Sequence, residues 1–238
     1  MAGIKHSDIL SRSVKDFFSA KFLTLSFAPF FISLAVFSVL MIVGVSEIVD
    51  VIAQAVEYDS LLYKILSFAV VHYVLSVFLY LLGSFLVIIF SVIVAVLALG
   101  FFTPTVVKTL HEQYYAAYPL KSFKTHKSIL FVLGCFVKFV LIFLLCLPLI
   151  FIPFINVITL HIPFFYLFYK LLSFDVISNM FDEKNYASNI QPIRHHLVII
   201  SLVFYFLALI PIIGLFLQLF FAIYLTHYIF SFLIEQQR

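Results

Sequence analysis

The stretch that decides the fold is ILSFAVVHYVLSVFLYLLGSFLVIIFSVIVAVLALGFFTPTVV, residues 65–107, which contains no Asp, Glu, Lys or Arg. An α-helix needs about 20 apolar residues to cross a bilayer, so this run is more than long enough. As one helix it would be about 65 Å long, roughly twice the hydrocarbon thickness. The stretch therefore predicts a helical protein embedded in a membrane.

Three further apolar blocks accompany this run, at 22–45, 129–169 and 197–234. The polar segments between the blocks are too short to hold a globular domain. Hydrophobic residues make up 65% of the chain and charged residues 11%, against about 25% charged residues in soluble domains. The sequence predicts one membrane-embedded, all-α domain, 1–238, in contact with the lipid bilayer.

Several classes of protein are excluded or disfavoured by composition and motifs. A formal net charge of +3 is too weak to suggest nucleic-acid binding. Cys135 and Cys146 would lie about 16 Å apart on one helix, beyond disulfide reach, and they form no CxxC metal pair. No phosphate-binding loop, nucleophile elbow or zinc-protease motif is present. We therefore expect no enzyme activity, cofactor or metal site.

The distribution of basic residues predicts the orientation in the membrane. Lys and Arg number four in 1–21, one in 46–64, four in 108–128, three in 170–196 and one after residue 234. Cytoplasmic loops carry the excess of positive charge. The N-terminus, 108–128, 170–196 and the C-terminus are thus predicted to be cytoplasmic, with 46–64 outside. The N-terminal region has no cleavage site and is interpreted as a start-anchor.

The block 65–107 could cross the membrane once or fold into two spans at Gly83. Two spans would place the four lysines of 108–128 outside, so a single long span is favoured. We expect this helix to be tilted or protruding, and to break at Gly100 or Pro104.

One face of this predicted helix carries small residues, which allow close helix packing. Packing within the chain and packing between subunits both fit the pattern. The residues are Ser84, Ser91, Ala95 and Ala98.

The third and fourth apolar blocks share a motif that predicts a turn. One contains Ile-Pro-Phe-Ile-Asn at 152–156 and the other Ile-Pro-Ile-Ile-Gly at 210–214. Pro153 and Pro211 would end the preceding helix, while Asn156 and Gly214 tolerate the left-handed conformation of a turn. Each block is interpreted as a helical hairpin, and the two as an internal repeat. Whether the hairpins cross fully or only dip into the membrane stays open.

The predicted fold combines the spans 22–45 and 65–107 with these two hairpins. The hairpins are taken as 129–174 and 192–234. The fold has two long transmembrane helices and two proline-turn hairpins. This arrangement resembles the CysZ-type sulfate permeases and the related etoposide-induced membrane proteins. The Ile-Pro turns are the most specific part of the resemblance, and Ser173-Phe174-Asp175 matches an aromatic-Asp site of the family.

Other positions bear on the same resemblance. Pro29 in the first span and the stretch from Gly100 to Tyr115 also fit the family. A basic pair of the family is replaced here by Leu23 and Thr24, and Lys21 is the nearest cation. The resemblance implies a homo-oligomer that takes up sulfate for cysteine biosynthesis across a bacterial inner membrane.

An anion in a membrane needs fixed donors, and five residues are candidates for that role. Lys138 lies within the third block, where a cation near the midplane is costly and functional. A lysine that snorkels to the headgroups would have no such role. Asn156 could donate from the hairpin turn, and Thr103 from beside Pro104. Turn formation by Asn156 and hydrogen bonding of Thr103 to freed carbonyls are the favoured explanations. Lys21 and Lys108 stand at span ends, where positive-inside anchoring also explains them.

Two functions of different classes follow. The first is an anion permease or channel of the sulfate type, and the absence of carboxylates from the four blocks favours a passive route. The second is a non-transporting membrane protein that organises lipids or partner proteins, which the Phe-rich apolar surface would suit.

Overall fold

The computed structural model describes residues 6–55, 69–150, 152, 155–210 and 213–236, and these residues contain helices and no strand. The predicted all-α class is confirmed. The helices are α1 His6–Phe17, α2 Ala20–Ala55, α3 Ala69–Tyr114, α4 Thr125–Ile150, α5 Ile155–Ile177, α6 Glu183–Ile190, α7 Arg194–Ala208 and α8 Ile213–Gln236. A short 3₁₀ turn, Gln191–Ile193, joins α6 to α7.

Five helical stretches of the described chain are long and apolar enough to cross a membrane. This makes the chain a multi-pass membrane protein. The stretches are Ala20–Gly44, Thr125–Leu149, Ile158–Ile177, Glu183–Ala208 and Ile213–Gln236, and α3 contributes the shorter apolar stretch Val77–Val92.

Helix α3 is continuous over its 46 residues. It passes through Gly83, so the block does not fold back there, and it passes through Gly100 and Pro104 without the predicted break. Glycine and proline both lower helix stability, and the proline also removes one helical hydrogen bond because it has no N–H. The helical hydrogen bonds on either side of these residues outweigh this cost.

The chain divides into two compact units, residues 27–98 and residues 1–26 with 99–238. In the first unit, α2 and α3 run antiparallel. Ser33 on α2 donates to the Ser91 carbonyl at 3.2 Å, and Ser84 lies 3.9 Å from the Met41 sulfur. Ser91 is fully buried and serves packing within the chain, whereas Ser84 of the same stripe is exposed.

In the second unit α8 is the central helix. Every residue from 221 to 230 is buried, and helices α1, α5 and α7 pack around it. A helix that is apolar on all sides is suited to such a central position. Its core contacts include a stacked pair, Phe204 and Phe221, with ring centroids 4.3 Å apart.

Helices α4 and α5 form an antiparallel pair, as do α7 and α8. In the first pair Phe131 stacks on Phe174 at 4.1 Å and Phe139 contacts Phe164 at 5.5 Å. The predicted turn residues Pro153 and Pro211 lie outside the described residues. Asn156 is the second residue of α5, and its N–H donates to the Ile152 carbonyl at 3.1 Å.

Gly214 lies in the first turn of α8, and its φ lies outside the left-handed region that the sequence analysis expected. The glycine is needed for a different reason. A Cβ at this position would lie 2.3 Å from the Ala208 carbonyl oxygen, which is closer than any real contact. The turn between α7 and α8 is therefore tight enough to leave no room for a side chain.

Candidate functional site

The five residues proposed to bind an anion do not meet at one place. Lys21 donates to the Thr109 hydroxyl at 2.9 Å on an exposed surface. Lys108 lies 3.9 Å from Glu112 one helical turn later, and both side chains are largely exposed. These contacts are those of exposed surface side chains.

Thr103 is buried and makes a different contact from those expected. Its hydroxyl donates to the Asp175 carboxylate at 2.7 Å, which joins α3 to α5. The Asp175 carbonyl in turn accepts from Asn179 at 2.7 Å. Because the hydroxyl proton is already donated to a carboxylate, Thr103 is not available to donate to an anion.

Asn156 and Lys138 are far apart along the hairpin. Asn156 lies next to the turn, whereas Lys138 lies about 18 Å along α4 from Ile150. This separation rules out direct contact between the two side chains.

Lys138 is one of three cations on the helices of the two hairpins. The other two are Lys170 on α5 and Arg194 at the start of α7, and the side chains of Lys138 and Arg194 are exposed. The Lys170 ammonium lies 5.2 Å from the ring centroid of Tyr169. Lys170 is partly buried and lies within the candidate span Ile158–Ile177.

Cys135 is a buried thiol on α4, the helix that also carries Lys138, and it is 5% exposed. Among the described residues, Lys138, Lys170 and Arg194 form no ion pair.

A second polar group is buried where α1 meets α3 and α8. The Asp16 carboxylate lies 2.8 Å from His227 Nε2, and the Tyr115 hydroxyl lies 2.7 Å from His227 Nδ1. The Tyr114 hydroxyl donates to the other Asp16 oxygen at 2.8 Å. We call these four residues the Asp16–His227 network. The His227 and Asp16 side chains are 1% and 8% exposed.

The protonation of the Asp16–His227 network follows from its hydrogen bonds. Burial raises the pKa of Tyr115, so its hydroxyl keeps the proton and donates to Nδ1. The Nε2–H then donates to Asp16, and every polar atom of the imidazole is satisfied. The network has no third metal-binding side chain, and no cluster of three His, Cys, Asp or Glu suited to a metal is found in the described residues.

Apolar helices long enough to cross the bilayer define a multi-pass helical membrane protein. Over residues 9–218 the chain matches the family described as Sulfate transporter CysZ/Etoposide-induced protein 2.4, and it belongs to that family. Comparison with curated proteins and with solved structures gave no match.

Proposed function

We propose that the protein is a permease or channel for a sulfate-type inorganic anion in a bacterial inner membrane. The observation that carries this proposal is membership of a family whose description includes a sulfate transporter, over most of the chain. Several apolar helices suited to crossing a bilayer support it. The proposal assigns no catalytic activity to the chain.

The proposed arrangement in the membrane is a single embedded domain that assembles as a homo-oligomer. Helices α2 and α3 are the two long spans, and the pairs α4–α5 and α7–α8 are the hairpins. The two termini face the cytoplasm, and so do the connections 108–128 and 170–196. These four segments carry twelve of the fourteen basic residues.

Cysteine labelling tests this orientation. Ala117 is exposed in the connection after α3, so Ala117→Cys gives a reactive thiol in a chain whose buried Cys135 and Cys146 are replaced by alanine. A membrane-impermeant maleimide should label it in inverted vesicles and not in intact cells. Labelling in intact cells would show that this connection is outside and would contradict the proposed single crossing of α3.

Flux through proteoliposomes tests the function. The purified protein, reconstituted into vesicles of neutral lipid, should release trapped radiolabelled sulfate or chloride faster than protein-free vesicles do. Vesicles that hold an equal mass of an unrelated helical membrane protein control for leakage. A rate equal to this control for every anion tried would favour the alternative, a protein that organises lipids or partners.

A further inference from the structure

Helix α1 exposes a row of large apolar side chains. Leu10, Val14 and Phe18 are spaced four residues apart, which places them on one side of the helix, and they are 48%, 40% and 65% exposed. Phe18 keeps the helical path, because its N–H donates to the Val14 carbonyl at 3.0 Å. We call these three residues the outer stripe of α1.

The side that α1 buries includes two polar residues. Its members are Ile9, Ser13, Asp16 and Phe17. The polar groups inside are satisfied, because Asp16 accepts from His227 at 2.8 Å and Ser13 donates to the Ile9 carbonyl at 2.7 Å. The helix thus turns a carboxylate and a hydroxyl inward and keeps the outer stripe exposed. That distribution fits a helix whose outer neighbour is hydrocarbon and not water.

The remaining side of α1 carries charge. Asp8, Arg12 and Lys15 are exposed, and at 3.6 residues per turn they lie on the side of the helix away from the outer stripe. Lys21 is exposed at the start of α2. These positions carry three cations against one carboxylate, and none of the cations forms an ion pair within the described part of the chain. Such an excess of positive charge complements anionic lipid headgroups.

The contacts of α1 show that it crosses α8 and does not run along it. His6 and Asp16 are about 15 Å apart along α1. Their partners on α8, Tyr224 at 3.0 Å and His227 at 2.8 Å, are only about 4.5 Å apart along that helix. Because α8 is a candidate span, and spans are tilted by about 20° on average, a helix that crosses it lies closer to the plane of the membrane than to its normal.

The chain enters the bilayer directly after α1. The candidate span Ala20–Gly44 begins two residues after Phe18, so the end of α1 lies at the boundary between headgroups and acyl chains. The charged side keeps α1 itself out of the hydrocarbon core.

From this geometry we propose that α1 is an in-plane helix that binds anionic phospholipid at the bilayer surface. The outer stripe lies among the acyl chains, and Lys15 and Lys21 lie among the headgroup phosphates. Amphipathic helices of this kind bury their apolar side by about 5–10 Å. The inference rests on the membrane-protein class of the chain and does not depend on the proposed transport of an anion.

Tryptophan fluorescence tests the position of the outer stripe. The chain contains no tryptophan, so Phe18→Trp gives a protein with a single indole. In nanodiscs its emission should be blue-shifted and should be quenched by lipids that carry bromine on their acyl chains. Leu10→Trp is a second reporter on the same stripe. Asp8→Trp, on the charged side of the same helix, is the matched control, and iodide in the buffer should quench it while brominated lipid should not.

The preference for anionic headgroups is measured with the same reporter. Mixtures in which either phosphatidylglycerol or phosphatidylcholine is brominated give the relative affinity of the two lipids beside the indole of Phe18→Trp. Phosphatidylglycerol should be preferred. Adding Lys15→Gln should lower this preference about fivefold, as expected for one lysine at a charged membrane surface. Adding Lys15→Arg, which keeps the charge, should leave the preference unchanged.

Three results would overturn the proposal. Iodide quenching of Phe18→Trp and Leu10→Trp equal to that of Asp8→Trp would place the outer stripe in water. Emission that neither brominated lipid nor iodide quenches would show that protein covers the stripe, whether a second copy of this chain or another partner. Equal affinity for the two lipids, unaffected by Lys15→Gln, would remove the anionic lipid. If Phe18→Trp lowers the melting temperature of the protein, Leu10→Trp takes its place in each comparison.

Discussion

Gly214→Ala is expected to lower the melting temperature of the detergent-solubilised protein by about 2–12 °C. The added Cβ would lie 2.3 Å from the Ala208 carbonyl oxygen and 2.7 Å from its carbon, and these are backbone atoms that no rotamer change can move away. Overpacking of this kind costs about 1–3 kcal/mol, and each kcal/mol lowers the melting temperature of a chain of this size by about 2–4 °C. The larger Gly214→Val should cost more.

The matched control is Gly134→Ala in the middle of α4. A Cβ at Gly134 would meet nothing within 4 Å, so alanine should raise helix stability by up to about 1 kcal/mol. Thermal unfolding followed by circular dichroism compares the two variants. Equal melting temperatures for Gly214→Ala and the original protein would show that Gly214 lies farther from the Ala208 carbonyl than it does in the structure.

His227→Leu is expected to destabilise the protein by about 1.5–3 kcal/mol. The change removes the Nε2–H donor and leaves the buried Asp16 carboxylate with the Tyr114 hydroxyl as its one side-chain hydrogen-bond donor among the described residues. A lost hydrogen bond to a charged group carries this cost, and the effect should appear as a fall of about 3 °C or more in melting temperature.

A double variant distinguishes a broken charge network from simple loss of packing. In Asp16→Leu with His227→Leu both polar partners are apolar, so the double variant should be more stable than His227→Leu alone. Asp8→Leu on the exposed side of α1 is the control and should change stability by no more than about 0.5 kcal/mol. A double variant less stable than either single one would mean that the side chains act by filling space.

Trypsin gives a local readout of the same contact. Arg12 lies on α1, which the Asp16–His227 network fastens to α3 and α8. In His227→Leu cleavage after Arg12 should become faster at temperatures well below the melting transition. A cleavage rate equal to that of the original protein would mean that α1 is held mainly by its apolar contacts, such as Phe17 with Phe220 at 5.8 Å.

The helices could be predicted because their signals are local. An uncharged run of 43 residues predicts a long helix from composition alone, and the Ile-Pro motifs predict where the paired helices turn. The Ile-Pro motif also predicts that Gly214 must be glycine, but for the left-handed conformation of a turn. The actual reason, an approach to the Ala208 carbonyl, depends on how two helices meet and has no signature in the local sequence.

The end of the helix that carries Lys170 was predicted inconsistently. The third apolar block ends at residue 169, whereas the predicted hairpin 129–174 includes Lys170. In the structure α5 continues to Ile177, and the apolar residues after Lys170 explain why. The same boundary left Asp175 outside the apolar blocks, whereas the structure places this carboxylate in a candidate span.

The Asp16–His227 network could not have been predicted by spacing. Asp16 and His227 are 211 residues apart, and Tyr115 is 112 residues from the same histidine. The local sequence gives none of the three a special role. Asp16 resembles a carboxylate at a helix end, and Tyr115 and His227 resemble interfacial aromatic residues. Their contact depends on α1 packing against α8, which follows from the apolar face of α1 and from the burial of α8 on all sides.

The continuous α3 has a consequence for the lipid as well as for the protein. Its uncharged part, residues 69–107, is about 58 Å long, far longer than a hydrocarbon layer of about 30 Å, and a tilt of 40° would still leave about 45 Å to accommodate. Hydrophobic mismatch of this size must be met by a thicker bilayer around the helix or by apolar turns carried into the headgroups. The stability of the protein should therefore depend on the acyl-chain length of the lipids, and it should differ between membranes of different thickness.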